Sequence, residues 1–156
     1  MSEALELEGR AAIVTGGSRG LGQAIAAAFL RAGASVLVAA RDAGRLEAAR
    51  GELAPLARPG RALLAVAADV STADGCATVM RAAGPLLPEL SVLVCNAGVL
   101  GAIGRMEEVA WDDWLSALQV NLLGAVLMCR AILSLGDTSP DWPSAAAMTA
   151  RPRAAN

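Results

Sequence analysis

The sequence predicts a doubly wound α/β fold, one parallel sheet with helices on both faces. Three observations predict it. The 156 residues amount to one domain. Short apolar runs rich in β-branched residues alternate with stretches of helical period. The runs are apolar along their whole length, the mark of strands buried on both faces, and right-handed crossovers complete the winding.

Each element has its own signal. Ala11-Ala12-Ile13-Val14-Thr15 is the first strand and ends in two glycines. Leu21, Ile25, Ala28, Phe29 and Ala32 recur at helical spacing over a helix to Arg31, which Gly33 stops. Ser35 to Ala40 is the second strand. Asp42 caps the next helix, which runs to about Ala54, before Pro55. Ala62 to Ala68 is the third strand. Ser71-Thr72-Ala73-Asp74 reads as a capping box for a helix that fades at Gly84-Pro85. Ser91 to Cys95 is the fourth strand, followed by a loop with Gly98, Gly101 and Gly104. Trp111 to Leu135 is the longest helix, closed by Gly136, and its acidic first turn (Asp112, Asp113) suits a helix N-terminus. Trp111 and Trp114, three apart, are expected to pack. Residues 1–135 form the domain. Residues 136–156, with three prolines and no apolar strand, are expected to form a mobile tail.

Composition excludes much chemistry. There is no His, no Tyr and no Lys, so all 13 positive charges are Arg. Ser-His-Asp and Cys-His nucleophiles, His-based zinc sites, P-loop and Schiff-base lysines and phenol acid/bases are therefore absent from the chain. We expect no metal site. A net charge of -2 leaves no basic stripe for nucleic acid. Cys76, Cys95 and Cys129 are scattered, without a CxxC pattern, and are expected to be reduced core residues. The acidic N-terminal segment lacks the pattern of a leader, so a cytoplasmic location is expected. Leu115 to Leu135 has the length of a membrane span, but Gln119, Asn121 and Arg130 interrupt it. We expect no membrane partner and a helix buried in the protein core.

The chemistry concentrates after the first strand, in Thr15-Gly16-Gly17-Ser18-Arg19-Gly20-Leu21-Gly22, which opens a helix. Gly16 allows a tight turn, Gly20 lets the backbone approach a pyrophosphate, and Gly22 allows close helix–strand packing. The free N–H groups of the helix start then face the anion. At the end of the second strand, a site for the unphosphorylated ribose carries an acidic residue. Here Ala40 stands there, followed by Arg41, with Arg19 in the glycine loop. Two arginines near one ribose suit a 2′-phosphate by charge and fork geometry. NADP(H) is therefore expected over NAD(H).

The spacing TGxxxGxG resembles that of the short-chain dehydrogenase/reductase family, which has a Rossmann-type fold. The resemblance covers residues 5–135. Asp69-Val70 at the third strand's end, Asn96-Ala97-Gly98 after the fourth strand, and Val120-Asn121-Leu122-Leu123-Gly124 in the long helix match further family motifs in order and spacing. It implies that Gly16, Ser18, Arg19, Gly20, Leu21, Gly22, Arg41, Asp69, Val70, Asn96, Ala97 and Gly98 bind the cofactor, with Asp69 near the adenine. Asn121 is the one catalytic residue that carries over. From the residues alone, Asn121 points to a local kink or a polar partner, with a core Asn satisfied by backbone groups as the other reading, and Asn96 also reads as a tie between strands.

The family reaction is hydride transfer between nicotinamide and a small-molecule carbonyl or alcohol, with a Tyr-x-x-x-Lys acid/base. That motif is missing here, and the family's Ser is not assignable. The sheet is therefore expected to be truncated after the fourth strand and long helix, and the chain to be inactive alone. The alternatives are a non-catalytic dinucleotide-binding module or an unstable truncated product. A fourth strand left at the edge and a helix apolar on several sides lead us to expect self-association through the long helix.

Overall fold

A computed structural model describes residues 6–134. Residues 136–156, expected to be a tail, lie outside the described residues. Among the described residues, four parallel strands form one sheet: β1 (Ala11–Thr15), β2 (Ser35–Ala40), β3 (Leu63–Ala67) and β4 (Leu90–Val94). Their order is β3-β2-β1-β4. β1 is central, with Val14 level with Val38 on one side and Val94 on the other. The doubly wound α/β fold is thus present, and the winding reverses direction between β1 and β4.

The described residues form five α-helices: α1 (Gly20–Arg31), α2 (Ala43–Leu53), α3 (Ala73–Ala82), α4 (Trp111–Leu118) and α5 (Gly124–Leu133); α1, α2, α3 and α5 pack on the sheet, whereas α4 buries no residue. The strands look uniformly apolar because both faces are covered, yet they still alternate. Ile13, Leu37 and Ala39 point to α3 and α5, where Cys76, Val79, Met80, Met128 and Ala131 meet them. Val14, Val36 and Val38 point to α1 and α2, against Ala26, Leu30, Leu46 and Leu53. Every residue of β1 is buried. Gly33, at φ 92°, takes the left-handed turn after α1, and Ala34 N–H reaches back to the Phe29 carbonyl at 3.0 Å.

Asp42 caps α2 as expected, accepting from Arg45 N–H at 2.9 Å. The α3 cap differs from the expected Ser71–Asp74 box. Thr72 is the N-cap, accepting from Gly75 N–H at 3.0 Å. Ser71 is diverted because both its hydroxyl and its N–H donate to the Asp69 carboxylate.

The long helix corrects three expectations. It is interrupted by a π turn, Gln119–Leu123, between α4 and α5. It is not buried in the core. Only a narrow stripe, including Gly124, Met128 and Ala131, is buried, while Leu118, Leu122, Leu123 and Val126 are exposed. Trp111 and Trp114 are likewise exposed rather than packed, at 71% and 38%. Hydropathy alone says that a face is apolar; it does not say which neighbour covers it. Trp111–Leu133 has the length and composition to cross a membrane, but its buried stripe rests on the sheet. The cysteines divide as well: Cys76 is a core residue, whereas Cys95 and Cys129 are exposed.

Candidate functional site

The sheet's direction reverses beside β1, so the loops leaving β1 and β4 splay apart at their C-terminal ends. Ligands of open α/β sheets sit in such a crevice. Here a cleft of about 370 Å³ opens there, walled by the glycine loop, the ends of β2 and β3, and the segment after β4.

Thr15 organises the floor. Its buried hydroxyl donates to the Val94 carbonyl at 3.3 Å and accepts from the N–H groups of Asn96 and Ala97, both at 3.1 Å. Asn96 completes the tie, its side-chain amide donating to the carbonyls of Thr15 at 3.0 Å and Gly16 at 3.2 Å. Asn96 thus ties strands and lines the cleft together, the two readings its sequence position allowed.

At Gly16, Gly17 and Gly22 the glycine loop has no room for a Cβ. A Cβ on Gly22 would lie 2.4 Å from both the Gly16 carbonyl oxygen and the Asn96 amide nitrogen. Gly22 therefore makes space for the loop's own backbone rather than for a strand. Gly16 has φ 67°, and a Cβ there would lie 2.9 Å from Ala97 Cα. At the start of α1, Arg19 is the N-cap in extended conformation, with no side-chain cap bond. The first-turn N–H groups of α1 thus have no side-chain acceptor and lie at the cleft wall.

The other end of the cleft is charged. Arg19, Arg41 and Arg45 line it with Asp42 and Asp69. Burial on its own raises the Asp69 carboxyl. The Ser71 hydroxyl at 2.7 Å, the Ser71 N–H at 3.0 Å and the nearby Arg41 charge outweigh it and hold the carboxyl below its ordinary value. Asp69 is therefore a fixed anion and acceptor. Asp42 is occupied by its helix, pairing with Arg45 Nε at 3.5 Å as well as capping.

Of the residues expected to bind cofactor, Gly16, Ser18, Arg19, Gly20, Leu21, Gly22, Arg41, Asp69, Val70, Asn96, Ala97 and Gly98 all line this one cleft. Asn121 does not; its neighbour Val120 does. Asn121 sits in the π turn and clamps the backbone of Val99, accepting from its N–H at 2.8 Å and donating to its carbonyl at 2.9 Å. The sequence reading missed Thr15, Gly75 and Arg45. Thr15 had a signal, a polar residue closing an apolar strand. A Cβ on Gly75 would lie 1.8 Å from the Asp69 carbonyl oxygen, so glycine lets α3 start against the Asp69 turn. Arg45 had only its helical spacing from Arg41.

Comparison with known proteins agrees with this geometry. The family model described as short chain dehydrogenase matches residues 10–138. A short chain dehydrogenase of Aspergillus terreus is 38% identical over 132 residues, 84% of this chain and 28% of the relative. The 1-deoxy-11-beta-hydroxypentalenate dehydrogenase of Streptomyces arenae is 36% identical over 80% of this chain and 43% of the relative. The chain therefore spans less than half the length of these curated relatives. Among solved structures, L-sorbose reductase from Gluconobacter frateurii, complexed with NADPH and L-sorbose, superposes with a TM-score of 0.73. Its sequence identity is 31%, and the match covers 82% of this chain and 48% of that one. From the cleft, the sheet order and these matches together, the chain belongs to the short-chain dehydrogenase/reductase family.

Proposed function

We propose that this chain binds a nicotinamide dinucleotide in the cleft, NADP(H) in preference to NAD(H). The observation that carries the reading is the start of α1. It pairs uncapped N–H groups with Gly20, where open space lies beside the backbone for a pyrophosphate, while Gly16 and Gly22 let the loop close tightly against Ala97 and Asn96. The preference rests on charge. No acidic residue ends β2 to accept a ribose 2′-OH, whereas Arg19, Arg41 and Arg45 supply cationic forks around the same end of the cleft. In this reading Asp69 meets the adenine side, and Asn96 keeps Gly16 and the glycine loop in register. The bound nicotinamide would supply the hydride chemistry.

In the whole protein, the proposed reaction is hydride transfer with a small-molecule carbonyl or alcohol, as the reductase and dehydrogenase names of its relatives suggest. The 156 residues hold neither Tyr nor Lys. Binding without turnover is therefore the expected behaviour of this chain, which a non-catalytic dinucleotide-binding module would share.

Titrating the purified chain with NADPH and with NADH tests the reading. One charge-assisted contact of about 1.4 kcal/mol corresponds to about tenfold, so NADPH is expected to bind at least about tenfold tighter. Arg41→Ala is expected to remove most of that difference. Equal affinities would overturn the preference, and absence of binding to either would overturn the reading. Carbonyl reduction by the chain alone would overturn the expectation of inactivity.

A further inference from the structure

The three cysteines stand in different surroundings. Cys76, on α3, is buried and donates its thiol hydrogen to the Val70 carbonyl at 3.3 Å. Burial, first, pushes that thiol up to about 11. Cys95 and Cys129 are exposed, and the fold brings them face to face. Side chains alternate along a strand, so Cys95, just past β4, leaves on the same face as Leu93. Leu93 packs in one cluster with Met128, Ala131 and Ile132 of α5, so this face looks onto α5. The Cys95 sulfur lies 3.9 Å from the Ala125 carbonyl oxygen. Cys129 follows Ala125 by one helical turn, and helical side chains lean towards the N-terminus, so its thiol projects back over Ala125. Although Cys95 as a whole is exposed, its sulfur lies against α5, and loss of water there, first, and then Cys129 beside it push the Cys95 thiol up to about 11.

We propose that Cys95 and Cys129 are a redox-active dithiol that closes to an intramolecular disulfide when met by a peroxide. The Cys129 sulfur attacks as thiolate on an oxygen of hydrogen peroxide and breaks the O–O bond, giving a sulfenic acid and hydroxide. The second sulfur then displaces hydroxide from the sulfenic sulfur and forms the S–S bond. The two thiol protons end in two water molecules. Two electrons pass from the sulfurs to the peroxide. The bridge fastens the end of β4 to α5, one residue before Asn96, whose amide holds the glycine loop. Cys76, closed in the core and bonded to Val70, takes no part.

The chain lends itself to a direct test. Without lysine, cleavage after arginine leaves each cysteine on its own peptide, residues 62–81, 82–105 and 106–130. The purified 156-residue chain is treated with hydrogen peroxide at near-equal concentration, its remaining thiols are alkylated, and it is cleaved and weighed. The expected result is a monomer that, weighed before alkylation, is lighter by about 2 Da, the two hydrogens lost, and after alkylation and cleavage peptides 82–105 and 106–130 joined until dithiothreitol separates them. In Cys95→Ser the link is expected to vanish and Cys129 to be trapped by dimedone as the sulfenic acid. Cys129→Ser is the reciprocal check, expected to lose the link without a dimedone adduct on Cys95, with circular dichroism reporting that each variant is folded. A bond to the Cys76 peptide, bonds only between chains, or no bond at all would overturn the proposal.

Discussion

The glycines separate two roles that composition cannot. Gly22 stands where any Cβ would press to 2.4 Å against the Gly16 carbonyl oxygen and the Asn96 amide, which belong to two segments that wall the cleft. Gly51 lies inside α2, and a Cβ there would meet nothing within 4 Å. The same change, Gly→Ala, therefore has opposite expected outcomes. Gly22→Ala should cost about 1–3 kcal/mol through overpacking and abolish dinucleotide binding, because the loop must shift. Gly51→Ala should stabilise by about 0.5–1 kcal/mol through helix propensity and a less flexible unfolded chain, leaving binding unchanged. Urea denaturation and an NADPH titration of both variants check the pair; a stable, binding-competent Gly22→Ala would contradict the close approach.

At the scale of elements, the π turn Gln119–Leu123 is where the long helix does its positioning. The helix gives up regular bonding, and its side chains hold two loops instead. The Gln119 amide donates to the Ser71 carbonyl at 2.6 Å, and Asn121 clamps Val99 with two bonds. π turns of this kind collect at functional sites. Replacing Asn121 by Ala should cost about 1 kcal/mol, since its two bonds are partly exposed to water, and should speed amide exchange at Val99 well before exchange in β1 changes. Unchanged exchange at Val99 would mean that the clamp does not hold the loop.

The same contrast explains what could be read in advance. The strands, the Asp42 cap and the glycine loop are written in neighbouring residues, so their patterns are visible in the chain. The α3 cap moved from Ser71 to Thr72 because Asp69, only two residues back, competes for Ser71. Asn121 suggested a kink, which the π turn is, but its partner lies 22 residues away in a loop without a pattern. Thr15 joins the site only because the sheet order brings the end of β4 beside it, 79 residues on in sequence. Arg45 joins because α2 turns it towards the same cleft as Arg41.

For the molecule as a whole, the balance of buried and exposed apolar surface sets behaviour in solution. The core is well served. β1 is buried throughout, and both sheet faces carry packed clusters. The outer face of the long helix is a different surface. Leu115, Leu118, Leu122, Leu123 and Val126 are each between 45% and 54% exposed, with Trp111 at 71% and Leu133 at 78%. Beside it, Leu90, Val92 and Leu93 line a groove with Cys129, Ile132 and Leu133, along a strand that is an edge among the described residues. Scattered apolar residues are ordinary on a surface, but a continuous helical face of them favours association, and an open parallel edge adds unpaired backbone groups. The chain should therefore self-associate through this face. Its sedimentation coefficient should rise and its melting temperature should increase with protein concentration, since association stabilises only the folded form. Leu122→Glu with Val126→Glu places two carboxylates on that face without touching the buried stripe of Gly124, Met128 and Ala131. That variant should stay monomeric across the same concentrations, with its secondary structure and NADPH affinity retained. If it associates as the parent chain does, the contact lies elsewhere, and the β4 edge becomes the surface to test.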